Sequence, residues 1–195
     1  MKSNICILNG KPDELIQISK EIEKVADYNS LERKQLIQLL LLAEELIGIQ
    51  KGILGFTKGD FYIENIGREY RLCLHADIYT DVITQERFVE MSTKNENIAT
   101  KGIRGKIKYV VNYLMNANSD VLPDYDLFVS QSNYCNCDGV GNYDKIWSLS
   151  DYKGGISEKT EIWDEMERSI VVNIADDLIV GAMSNYIDLI VVKKI

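Results

Sequence analysis

Between Leu31 and Gly48 the chain is apolar on nearly every side of a helical turn. Leu36, Ile37, Leu39, Leu40, Leu41, Leu42 and Leu46 leave Glu44 and Glu45 as the polar residues of the second half. A helix coated in this way is buried on more than one side. Gly52 and Gly55 break the pattern, and strand patterns follow directly. Asp60 to Asn65 reads as one strand and Asn65 to Gly67 as its turn. In the next strand Tyr70, Leu72, Leu74 and Ala76 take one face and Arg71, Cys73, His75 and Asp77 the other. A buried helix feeding a hairpin calls for a layer of helices against a sheet.

The remaining segments supply both layers. Asn4 to Leu8 reads as a short strand, and Pro12 suits the first position of a helix whose Leu15, Ile18, Ile22 and Val25 recur at helical spacing. Ser30 is the expected N-cap of the long helix. The polar stretch Asp81 to Ala99 holds a short helix around Glu86 to Met91. Gly102 and Gly105 then precede an amphipathic helix with Ile107, Val110, Val111, Leu114 and Met115 as its stripe. From Ser119 to Gly155 periodicity fails. Pro123, Gly139, Gly141, Gly154 and Gly155 punctuate a stretch that holds six of the chain's seventeen aromatics. It reads as a surface insertion suited to binding a partner, and its DGVG at Asp138 to Gly141 as a turn. Ser157 is placed to cap a helix with Ile162, Trp163, Met166 and Ile170 inward. Leu178 to Met183 and Tyr186 to Lys193 form a closing hairpin around Ser184 and Asn185.

Composition removes several classes of function. A chain of 195 residues is most simply one domain, able to bury about 70% of the surface its unfolded form exposes. A net charge of −8 repels nucleic-acid phosphates and anionic membranes, so neither is an expected partner. No stretch reaches the eighteen or so apolar residues of a membrane span, and a cytoplasmic location is expected. Such a location would keep Cys6, Cys73, Cys135 and Cys137 reduced. Cys135 and Cys137 lack the second ligand pair that zinc wants, and the one histidine is His75, so no metal site is expected.

The order of strand, helix, Glu-bearing helix, two strands, glycine-started helix and terminal hairpin resembles the histidine-kinase-like ATPase (GHKL) superfamily, nearest its anti-sigma-factor serine kinases. The likeness is carried by KQLIQLLLLAEELIGIQKGIL, by TKGIRGKIKYVVNYL and by the final hairpin, and leaves an insertion at about Ser119 to Ile174 without counterpart. The resemblance implies a single α+β two-layer sandwich: a mixed, mostly antiparallel sheet with helices on one face. It also implies site residues. Glu45 would stand as the base. The magnesium-binding asparagine four residues on would be Ile49, which cannot coordinate a hard cation. The adenine-reading aspartate at the strand end would be Asp77. On strand parity, however, the position is Ala76, and Tyr79 stands where the family has glycine. Phosphates would meet Gly102, Gly105, Lys101 and Arg104 at a helix start, within a basic run that also includes Lys94, Lys106 and Lys108.

Beside these roles stand plainer ones. Glu44 and Glu45 read as the polar edge of a core helix, and His75 as a packed or half-exposed side chain. The expected function is a cytoplasmic regulatory protein with a degraded nucleotide site, acting by protein contacts and needing no cofactor; a protein partner is expected and a homodimer is compatible. The alternative is an active serine kinase using Mg-ATP. The third reading is a small-molecule sensor using the same cleft.

Overall fold

The computed structural model of the chain describes residues 1–54, 58–77, 102–115, 129–130, 146–155, 169–182 and 186–195. The expectations for Glu86 to Met91, Lys94, Lys101, Cys135, Cys137, Asp138 to Gly141, and Ile162, Trp163 and Met166 fall outside those residues.

Strand β1 (Cys6–Leu8) leads into helix α1 (Glu14–Tyr28), which buries Ile18, Ile22, Val25 and Ala26, while Leu15, expected in the same stripe, is exposed. The loop between them is held by Glu14, a buried carboxylate that accepts the backbone N–H groups of Asn9 and Lys11. Ser30 does not cap the next helix. It takes φ 53° and closes α1 instead. Its N–H bonds to the Asp27 carbonyl and that of Leu31 to the Ala26 carbonyl, the paired arrangement that ends helices at a left-handed residue. A non-glycine residue is strained there, so Ser30→Gly should raise stability by about 0.5–1 kcal/mol in urea denaturation. The start of α2 (Arg33–Leu54) is closed by Gln35, whose side chain accepts the N–H of Glu32 at 2.8 Å.

Helix α2 runs through Gly48 and Gly52 to Leu54, past the expected stop. The core outweighs the roughly 1 kcal/mol that each glycine costs a helix, because Leu42, Leu46, Ile47 and Ile49 are all buried. Then come β2 (Gly59–Ile66) and β3 (Glu69–Asp77), joined by a turn in which Gly67 takes φ 64°. The later elements are α3 (Gly102–Met115), β4 (Val129–Ser130), β5 (Ile146–Ser148), α4 (Leu149–Gly155), α5 (Ile170–Ile174), β6 (Asp177–Ala182) and β7 (Tyr186–Lys194).

The described strands form a seven-stranded sheet in the order β1-β2-β3-β7-β6-β5-β4. All six ladders among the described residues are antiparallel, which corrects the mixed, mostly antiparallel sheet implied by the resemblance. One face meets the helices. Phe61, Ile63, Leu72, Leu74, Ala76, Leu178, Val180, Leu189 and Val191 join the buried residues of α1, α2, α3 and α5 in one core, giving an α+β architecture with helices on one side. The alternation read from sequence in β3 holds residue by residue. A smaller apolar cluster of Tyr62, Cys73, Ile190 and Val192 lies on the opposite face. Cys6 and Cys73 are thus buried on different faces, and burial pushes the Cys6 thiol up.

The expected surface insertion is corrected at its end. Residues 146–155 are structural: β5 pairs with β6, and Trp147, Leu149 and Tyr152 join the main core. Ser148 caps α4 by accepting the Asp151 N–H, and its hydroxyl donates to the Asp177 carboxylate, which also accepts the N–H groups of Ser150 and Leu178. Three residues of strand are too few to show a period. In α5 the inward residues are Val171 and Val172, while Ile170, expected to face inward, is exposed.

Candidate functional site

The apolar stripe of α2 turns Leu42, Leu46 and Ile49 into the core, which leaves Glu45 on the side toward α3. There it meets Arg104, in the first turn of α3. The guanidinium Nε and Nη2 reach Oε1 at 3.1 and 3.0 Å, and Nη2 reaches Oε2 at 3.0 Å. This two-oxygen grip is the strong form of a charge-assisted hydrogen bond. It also brings a carboxylate to the positive end of a helix with no acid of its own in the first turn. Gly48, one turn beyond Glu44, passes beneath: a Cβ there would lie 3.3 Å from Arg104 Nη2. On the other side of α3, Lys106 Nζ stands 4.3 Å from the centre of the Tyr152 ring of α4.

Of the residues singled out from sequence, Glu45, Arg104, Gly102 and Gly105 therefore share one region, at the junction of α2 with the first turn of α3. Lys101 is outside the described residues. Ile49 and Ala76 are fully buried in the main core. Asp77 is not with the others: it shares the face of His75, with Oδ1 3.8 Å from His75 Nε2, on the side of the sheet away from the helices. Glu44 is exposed, as a polar helix edge would be.

The second polar constellation lies on that opposite face and was not legible in the sequence. Asp60, His75 and Asp188 stand side by side on β2, β3 and β7. His75 Nδ1 is 2.7 Å from Asp188 Oδ1, and the His75 ring lies tilted by 42° against that of Tyr186, with centroids 4.8 Å apart. The Asp188 side chain is only 3% exposed and that of His75 33%. The hydrogen bond to Asp188 raises the imidazole pKa against the opposing effect of burial, with further help from the charges of Asp188, Asp77 and Asp60. Burial also holds the Asp188 carboxyl above its ordinary range, outweighing the attraction of His75. The signal available was a lone acid inside the apolar run Ile187 to Val192, but its partner depends on a register that no local pattern specifies. Gly59 is required beside this row: a Cβ there would come within 2.2 Å of the His75 carbonyl oxygen.

Among the described residues no group of three or more His, Cys, Asp or Glu side chains is arranged to hold a metal ion, and no helix is long and apolar enough to cross a membrane. No protein-family model, curated protein or solved structure matches the chain.

Proposed function

We propose that the chain is a regulatory protein on a histidine-kinase-like ATPase scaffold whose nucleotide site has been lost, acting through contacts with another protein. Its support is the chemistry at the two positions where that family holds magnesium and adenine. Ile49 and Ala76 are both sealed in the hydrocarbon core, and neither has an oxygen to offer. Asp77, the neighbouring carboxylate, is turned to the other face of the sheet. The α+β layering, with helices on one face of the sheet, is compatible with such a scaffold, although the described ladders are all antiparallel where that family's sheet is mixed. Trp147 and Tyr152 serve the core, so they are not part of a partner surface.

Isothermal titration with Mg-ATP and Mg-ADP tests the reading. No heat of binding is expected up to millimolar nucleotide. Binding at micromolar strength would overturn it in favour of the active serine kinase, with Glu45 as base.

A further inference from the structure

We infer that Glu45, Arg104 and Gly48 form a latch that fixes the start of α3 against α2. The pair joins residues 59 positions apart in sequence and is a cross-helix contact made by both carboxylate oxygens. The carboxylate side is well shielded, with Glu45 15% exposed against 56% for Arg104, so the sheltered partner is on α2 and the exposed arm on α3. The seat is built for the arm: at Gly48 the absence of a side chain leaves the space in which Nη2 lies. Any larger residue would contest that space. In the closed latch Arg104 holds both Glu45 oxygens. The latch rests on this geometry and not on the nucleotide reading, so a nucleotide titration that overturned the one would leave the other standing.

Amide hydrogen exchange on the full chain separates a latch from a contact that merely adds to global stability. Glu45→Gln and Arg104→Gln are each expected to speed exchange of the α3 amides about three- to tenfold, with α1, β2 and β3 unchanged, because an opened latch frees one local unit. The two changes together should do no more than either alone. Gly48→Leu, which alters no charge and improves the helix propensity of α2, should also release α3 by filling the seat. The latch is refuted if α3 protection is unchanged in both charge variants. It is equally refuted if protection falls by the same factor in α1 and β3 as in α3, or if the double variant shows the summed effect of two independent contacts.

Discussion

His75→Ala is expected to lower the free energy of unfolding by roughly 2–4 kcal/mol, the range for a buried charged group that loses its partner, reduced somewhat because the imidazole itself is partly exposed. The damage is done through Asp188. Its side chain is 3% exposed, and the imidazole nitrogen stands 2.7 Å from its carboxylate. Asp188→Asn should cost less, because an amide can still hydrogen-bond to a neutral imidazole and leaves no buried charge. The pH dependence follows from the directions of the two shifts. Both groups bind protons more tightly in the folded chain than in the unfolded one. Stability therefore falls as pH rises through each window. For His75 the contribution is complete below the ordinary imidazole value near 6.5 and is lost as pH climbs through the raised folded value. For Asp188 the loss begins above the ordinary carboxyl value of 3.8. Urea titrations from pH 5 to 9 should show wild-type stability declining above pH 6.5, and His75→Ala should lose the imidazole's share of that decline. A decline of equal size in the variant would place its origin elsewhere.

The second large effect concerns Trp147. It is fully buried at the centre of β5 and heads the largest enclosed side chains of the described residues. Trp147→Ala should cost about 3–5 kcal/mol, the usual range for an aromatic deleted from a core. Trp147→Phe should cost markedly less, about 1–2 kcal/mol, because only volume is lost. The indole Nε1 has no hydrogen-bond partner among the described residues, so phenylalanine gives up no polar contact. If residues 146–155 were a surface loop, both variants would leave the denaturation midpoint within experimental scatter. Tyr152, tilted against Trp147 with ring centres 5.7 Å apart, would report the same repacking through its fluorescence environment.

What the sequence disclosed followed periodicity. The alternation of β3, the stripe of α1 at Ile18, Ile22 and Val25, the buried second half of α2 and the closing hairpin were all readable, because each spans enough turns or residues for one face to declare itself. The parity that set Ala76 inward and Asp77 outward was likewise a local matter. Where tertiary contacts decided, local signals misled. Ser30 has the chemistry of an N-cap, yet the geometry at the end of α1 claimed it first. Gly52 looked like a stop, but burial of the residues before it kept the helix going. Trp147 seemed a surface aromatic because its strand is only three residues long. The candidate site divides along the same line. Glu45 and Arg104 were each marked from sequence, for different reasons, but their bond belongs to the packing of α3 on α2. The Asp188 partner of His75 belongs to a register between strands more than a hundred residues apart.

Strand β7 occupies the middle of the sheet although it is the last of the described elements to leave the ribosome. Until it emerges, β3 and β6 have no common neighbour, and the two halves of the sheet remain separate pieces with open flanks. Folding as the chain is made can gather α1, α2 and the β2–β3 hairpin, since their contacts are close in sequence. The rest of the sheet depends on β7, whose two edges pair with β3 and with β6. A nascent chain of this design is most exposed to off-pathway pairing just before synthesis of β7, when the flanks of β3 and β6 are both bare.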